Sequence, residues 1–332
     1  MLNRERIMDW AGRSVLVTGA GGFIGSHLVE ELLGLDAKVT AFVRYTSRAS
    51  VGFLASLASR VQIVAGDLTE FESVYRAMRD QEYVFHLGAL IGVPYSFVHP
   101  REVVQVNTVG SLNVLTAARE TKPRRVVLTS TSEVYGTARY VPIDEDHPLQ
   151  AQSPYAASKI AADKLGEAFH RSYQLPVSIV RPFNAFGPRQ STRAVIPTII
   201  AQALRENRIL LGATSPKRDF TFVKDIVRGF VRIAEVEEAI GEVINLGTGR
   251  EISIADLALQ IASLVGRELN IVTDEQRLRP GGSEVDRLCC NGAKAHRLLG
   301  WESQYSLEEG LRITIEWLKA SNELEDPRRY RI

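Results

Sequence analysis

Thr131, Ser132 and Glu133, followed by Tyr155 and Lys159, are the residues of this chain whose types and spacing point to chemistry. In Tyr155-Ala-Ala-Ser-Lys159 the tyrosine and lysine stand four apart, so on a helix they share one face. An ammonium beside a phenol favours the phenolate, and is expected to draw a group of ordinary pKa ~10 toward neutrality. A phenolate next to a nicotinamide ring takes the proton of a sugar hydroxyl while the carbon gives up hydride. Glu133 adds a base for a second proton, taken from carbon. The set predicts oxidation followed by elimination, which is dehydratase chemistry.

Such chemistry needs a hydride acceptor, and the N-terminal region offers a place for one. Ser14–Thr18 is a short β-rich run, Gly19-Ala-Gly-Gly22-Phe23-Ile24-Gly25 follows directly, and Ser26–Leu33 has helical periodicity. A glycine turn between strand and helix is the context of a dinucleotide site. Backbone at Gly19, Gly22, Phe23, Ile24 and Gly25 is expected to approach a pyrophosphate at the helix N-terminus. The next strand, Lys38–Val43, ends in Arg44, about 20 residues beyond the last glycine, where an acid binds the ribose of NAD and an arginine suits the 2′-phosphate of NADP. Arg44, with Ser47 and Arg48, tilts the expected cofactor from NAD toward NADP. An ordinary solvated basic loop is the alternative for these residues. Asp67-Leu68 occupies the position of an adenine-contacting loop. Leu87 and Ala89, in His86-Leu-Gly-Ala89, end the fourth strand beside the cofactor, and His86 reads equally as a core histidine.

Strand-like and helix-like segments alternate through Val15–Thr18, Val39–Val43, Gln62–Val64, Tyr83–His86, Arg125–Thr129 and Val177–Arg181. This α/β alternation predicts a Rossmann-type, doubly wound parallel sheet with a smaller C-terminal substrate-binding lobe. The dinucleotide-binding domain is expected over 1–180, with return segments at about 220–246. Phe220–Val223 and the helix from Asp225 read as a return toward the sheet, and Val243–Leu246 as a further strand. The lobe is expected over 181–219 and 247–332, built mainly from Pro188–Leu211 and Ser253–Trp317. A sugar would bind between sheet and lobe, outside the carboxyl ends of the strands.

The glycine turn, Asp67, His86-Leu-Gly-Ala-Leu, Asn107–Asn113, Ser130-Thr-Ser-Glu-Val-Tyr-Gly136 and Tyr155-Ala-Ala-Ser-Lys159 together resemble the extended short-chain dehydrogenase/reductase family. Arg181-Pro-Phe-Asn184, Arg218–Asp225 and Arg279-Pro280 continue the resemblance over nearly the whole chain. Within the family it most resembles the nucleotide-sugar 4,6-dehydratases. Ile91–Pro100 looks closest to those acting on GDP- or UDP-N-acetylglucosamine in legionaminic-type pathways. The resemblance implies that Tyr155 deprotonates the C4 hydroxyl, Thr131 aligns it, and Glu133 removes the C5 hydrogen before water leaves from C6. Tyr155 and Lys159 would also contact the cofactor. Where related dehydratases often carry an aspartate before the glutamate, Ser132 stands here, so Glu133 is expected to serve as acid as well as base. Arg218 and Arg279 would bind the diphosphate, with Asn184 on a phosphate or sugar oxygen, and Glu284 either orienting Arg279 or touching the nucleoside. The plain alternative for Arg218 is a salt bridge to Asp219 or Asp225, and Tyr135 reads as packing. Sugar-nucleotide 4-epimerases and UDP-glucuronate decarboxylases share the fold, and a non-catalytic dinucleotide-binding regulator is a remoter alternative. A homodimer through Val106–Thr121 and Tyr155–Tyr173 is expected by resemblance.

Composition fits an ordinary globular protein. Of 332 residues 45% are hydrophobic and 24% charged, with a formal net charge of +1. Near-neutrality gives no reason to expect nucleic acid or an anionic membrane as partner. Met1–Trp10 is charged and does not read as a signal peptide. Adjacent Cys289 and Cys290 make neither an ordinary disulfide nor a metal site by themselves, which fits a reducing cytoplasm.

Overall fold

A computed structural model of the protein describes residues 8–46, 50–268 and 270–321. Its frame is a parallel sheet of β1 (Ser14–Thr18), β2 (Lys38–Arg44), β3 (Gln62–Gly66), β4 (Tyr83–His86), β5 (Arg125–Thr129), β6 (Val177–Pro182) and β7 (Val243–Leu246). These strands lie in the order β7-β6-β5-β4-β1-β2-β3. The order turns back on itself between β1 and β4, which opens a crevice at the carboxyl ends of those two strands.

The strands read as near-continuous apolar runs because helices cover both faces. In β1, Val15 and Val17 enter one apolar layer and Leu16 the other, the two-residue period of extended chain. The first layer holds Leu28 and Leu32 of α1 (Phe23–Gly34). The opposite layer holds Met78 of α2 (Phe71–Met78) and Val114 and Leu115 of α3 (Gly110–Thr121). The long helix α4 (Pro154–Tyr173) packs on α3 and β6.

Beyond β6 come α5 (Val195–Arg205), α6 (Val223–Glu235), α7 (Ile254–Val265) and α8 (Leu307–Ala320). Ile199 of α5, Leu257 of α7 and Leu311 of α8 join the same apolar cluster as Val15, Leu28 and Phe230 of α6. Each such side chain, fully buried, contributes about 1.5–3 kcal/mol, so sheet and lobe are bound through a shared core.

The C-terminal half differs from the expected layout in detail. Phe220 to Val223 does not return to the main sheet. Thr221–Phe222 instead pairs with Ala185–Phe186, and Lys217–Asp219 pairs with Glu251–Ser253 and Arg287–Leu288. These pieces form small sheets of two and three strands, separate from the main one. The return is made by α6, which starts at Val223 and packs on α1. Ala293–Leu299, expected in the lobe, packs against β7. Among the described residues, no helix is long and apolar enough to cross a membrane.

Candidate active site

One cavity of about 790 Å³ runs from the glycine turn, past the carboxyl ends of β4 and β5, to the lobe. Gly19, Gly22, Phe23, Ile24 and Gly25 floor one end, with Arg44, Leu87 and Ala89 beside them. Gly19 has a left-handed φ of +67°. A Cβ on Gly25 would lie 2.2 Å from the Gly19 carbonyl oxygen, so the turn closes only without a side chain there. Gly22 caps α1, whose first turn is uncharged, and the helix dipole favours an anion at that point. Near mid-cavity the Thr129 hydroxyl, also on the wall, is buried without a protein partner. A narrow backbone cradle, a helix N-terminus and a waiting polar group fit a dinucleotide.

The remaining cofactor residues are placed unevenly. Arg44 lies on the wall, its side chain 66% exposed and its Nη2 4.0 Å from Glu102 Oε1. Ser47 and Arg48 lie outside the described residues. Among the described residues Asp67 and Leu68 are off the wall. The Asp67 carboxylate accepts from the Thr69 amide and hydroxyl, while Leu68 is buried in the core beside α2 and α3. His86 is also off the wall: Thr18 Oγ1 lies 2.8 Å from its Nδ1 and Ser111 Oγ 3.1 Å from its Nε2. Burial, and then the nearby Lys159 charge, push its pKa down to about 3, so it is a neutral core histidine.

Tyr155 and Lys159 are presented by α4. Ser153 caps that helix, accepting from the Ala156 amide at 3.1 Å, and Pro154 sets its first turn. Lys159 Nζ donates to the Thr129 carbonyl at 2.6 Å. Burial brings the lysine pKa down to about 8, opposed by Asp163. Helical spacing predicts that the lysine lowers the Tyr155 pKa, and the structure corrects that expectation. Burial raises the phenol, Thr131 opposes this by hydrogen bonding, and the Glu133 and Asp163 charges raise it further. Lys159 is held on the Thr129 carbonyl, and burial disfavours the phenolate.

The helix expected from Val106, opposite α4, starts earlier and is irregular. The segment begins as Pro100–Val104, widens to a π turn over Gln105–Val109 and continues as α3. The π turn carries Asn107, whose Nδ2 donates to the Leu90 carbonyl and Ser158 Oγ, each at 3.0 Å, while Oδ1 accepts from the Leu90 amide at 2.8 Å. The loop after β4 is thereby tied to the residue preceding Lys159.

Thr131 ends the β5 loop and caps the short turn Ser132–Tyr135, accepting from the Glu133 amide at 3.2 Å. Thr131, Ser132 and Glu133 share the cavity wall with Tyr155 and Lys159. Glu133 Oε2 lies 3.5 Å from Arg279 Nη1. Arg279 Nε in turn lies 3.7 Å from Glu284 Oε2, and Arg218 Nη2 donates to Glu284 Oε1 at 3.1 Å. Arg218 therefore pairs with Glu284. Asp219 instead holds the Thr248, Gly249 and Cys290 amides, and Asp225 holds those of Gln304 and Tyr305. Burial lowers the Arg218 pKa, and the Glu133 charge opposes it. The Asn184 amide nitrogen, on the same wall, is buried with no partner.

Gln190 and Arg193 also line the lobe side, and sequence reasoning passes over both. Gln190 Nε2 donates to the Ala185 carbonyl at 2.8 Å while its Oε1 is buried without a partner. The Gly187-Pro-Arg-Gln190 turn directly after Asn184 is the available signal. Tyr135, read as packing, is a hydrogen-bonding residue: its hydroxyl donates to Asn245 Oδ1 at 2.7 Å and accepts from Arg181 Nη1 at 2.9 Å.

Known proteins share this fold, at about one-third sequence identity. A UDP-glucose 4-epimerase of Mycolicibacterium smegmatis is 35% identical over 92% of this chain and 98% of its own. A UDP-N-acetyl-alpha-D-glucosaminuronate decarboxylase of Bacillus cytotoxicus is 33% identical over 92% and 97%. The solved structure of DesIV, a dTDP-glucose 4,6-dehydratase of Streptomyces venezuelae with NAD and TYD bound, superposes with a TM-score of 0.85 at 29% identity, covering 95% and 99%. The family model described as GDP-mannose 4,6 dehydratase matches residues 16–314. With these sequence and fold matches, and a cavity suited to NAD(P), the chain belongs to that family of extended short-chain dehydrogenase/reductases, the nucleotide-sugar epimerases and dehydratases.

Proposed function

We propose that this chain is an NAD(P)-dependent nucleotide-sugar 4,6-dehydratase, converting an NDP-hexose to the NDP-4-keto-6-deoxyhexose. The observation that carries the reading is Glu133 on the same wall as Tyr155 and Lys159. A C4 epimerisation returns hydride to C4 and has no need of a carboxylate there. A bound nicotinamide dinucleotide supplies reversible hydride acceptance and, when oxidised, a positive charge that favours the Tyr155 phenolate. Tyr155 takes the C4 hydroxyl proton, with Thr131 holding that hydroxyl in line. The C4 ketone acidifies the C5 hydrogen, and Glu133 removes it. Ser132 is a poor acid at neutral pH, so protonated Glu133 delivers the proton to the departing C6 hydroxyl. The hydride taken from C4 then returns to C6, and a proton, equivalent to the one Tyr155 took, to C5. Arg218, Arg279 and Asn184 hold the diphosphate, which displaces Glu284 from the two guanidinium groups.

GDP- or UDP-N-acetylglucosamine is the substrate this reading assigns, from the resemblance of Ile91–Pro100. Arg44 on the cofactor wall favours NADP over NAD. The setting assigned is a cytoplasmic homodimer with α3 and α4 at the interface.

A 4-epimerase is the second reading, favoured by the 35% identity to a UDP-glucose 4-epimerase. Mass spectrometry of nucleotide sugars incubated with the protein and NADP or NAD separates the readings. A dehydratase removes one water without net cofactor reduction. An isomer of unchanged mass establishes the epimerase, and loss of carbon dioxide a decarboxylase. Glu133→Gln sharpens the result: bound nicotinamide is still reduced on C4 oxidation, but water loss falls by about 10²–10⁴-fold, the range of a general base.

A further inference from the structure

Behind the cavity lies a second set of charges that the proposed reaction does not use. Asp163 follows Lys159 by one helical turn, and both it and Arg181 on β6 are 2% exposed. Asp163 Oδ2 accepts from Arg181 Nε at 3.0 Å and from Ser130 Oγ at 2.8 Å, and lies 2.9 Å from Arg181 Nη2. The same guanidinium donates through Nη1 to Tyr135, two residues beyond Glu133 on the same short turn. Ser130 sits between Thr129, which accepts from Lys159, and Thr131, which bonds toward Tyr155.

We propose that Asp163 and Arg181 are positioning residues: one buried ion pair locks the catalytic helix, the end of β5 and the Glu133 turn together. A carboxylate this enclosed survives in ionised form only with a partner and hydrogen bonds. Arg181 and Ser130 provide them. The inference rests on the Tyr155–Lys159 pair and holds whether the sugar is dehydrated or epimerised.

Its electrostatic consequences have a definite sign. Tyr155 faces Thr131 and Glu133 from the β5 end and Asp163 from its own helix; Lys159 faces Asp163 and, from β4, neutral His86. The Asp163 charge raises both Tyr155 and Lys159. Removing it lowers both, so the acid limb, where the phenol must ionise, and the alkaline limb, where the lysine must stay charged, move to lower pH together. A residue of purely structural importance would reduce the rate without moving the limbs.

The test is an ultraviolet difference titration that isolates the Tyr155 phenol by subtracting the Tyr155→Phe protein, run without any sugar. In Asp163→Asn the phenol is expected to ionise at lower pH than in the parent protein. Under single-turnover conditions, the ratio of nicotinamide reduction at pH 9 to that at pH 7 is expected to fall about tenfold. Arg181→Met, which leaves the enclosed carboxylate to take up a proton, should move the titration in the same direction, and Arg181→Lys should restore it. Ser130→Ala removes one hydrogen bond from a carboxylate that stays ionised on Arg181, so no shift of the phenol to lower pH is expected there. Asp163→Ser, expected to shift as Asp163→Asn does, keeps the test open if Asp163→Asn does not fold. An unmoved phenol in Asp163→Asn or Asp163→Ser, or an opposite shift in Arg181→Met, overturns the proposal. Because the titration needs no substrate, failure of the dehydratase reading cannot imitate that outcome.

Discussion

The two ends of the cavity are built on opposite principles. At the glycine end the wall is backbone: Gly19 to Gly25 folds so closely that a carbonyl oxygen occupies the space of a missing Cβ. At the lobe end the wall is a chain of alternating charges, Glu133, Arg279, Glu284 and Arg218, contributed by segments far apart in sequence. The first end is shaped before any ligand arrives. The second holds its cations on carboxylates that a diphosphate must displace. Steric intolerance should mark one end and exchange of ionic partners the other.

The sharpest way to break this contrast is Gly25→Val. Backbone cannot yield as a flexible side chain can, so overpacking should cost about 1–3 kcal/mol of stability. Dinucleotide affinity should fall by about 100-fold or more, equivalent to at least ~2.7 kcal/mol. Calorimetric binding of NAD and NADP, with circular dichroism as a check on folding, measures both. Near-normal dinucleotide affinity would mean that the turn is not the cradle.

Arg218→Ala should have the next largest effect. A charge-assisted hydrogen bond is worth about 1.5–3 kcal/mol, so nucleoside diphosphate binding should weaken about 10–100-fold while dinucleotide binding is unchanged. Equal loss of both ligands would erase the distinction between the two ends. Glu284→Gln should have the smallest effect, and the opposite sign. Releasing Arg218 and Arg279 from a partly exposed carboxylate, a contact of about 0.2–1 kcal/mol, should tighten the nucleoside diphosphate by about two- to fivefold. Weaker binding in this variant would make Glu284 a ligand contact and not a competitor.

The same contrast governs how much of the molecule is legible in its sequence. The glycine turn is legible because strand, turn and helix are contiguous and each glycine has a local reason. Tyr155 and Lys159 are legible because helical spacing alone puts them on one face. The Asp163–Arg181–Tyr135 contacts are not, since nothing local says that Tyr135 and Arg181 meet behind β5 and β6. Arg218 and Arg279 can be named by resemblance, but their carboxylate partners depend on short strands whose pairing no periodicity announces. The ionisation of Tyr155 escapes the sequence for a related reason: spacing shows a cation on the same helix face, but only the fold shows that it is held on the Thr129 carbonyl and that burial dominates the phenol. Asp67 and Leu68 are legible as a loop but not in their contacts, since the sequence does not say that the carboxylate accepts within its own turn or that the leucine side chain enters the core.

The π turn at Gln105–Val109 has a consequence for insertions and deletions. Its wide turn holds one residue more than an α-helical turn would. A π turn advances less per residue than an α turn, so it takes up that residue without turning the helix beyond it: Asn107 keeps its grip on Leu90 and Ser158 while Val114 and Leu115 keep their places in the sheet-facing layer. Deleting one residue inside the turn should leave both flanks in phase, whereas deleting one outside it would re-phase everything beyond by about 100° about the axis. This point of the chain can therefore absorb a change of length that the regular helix on either side of it cannot.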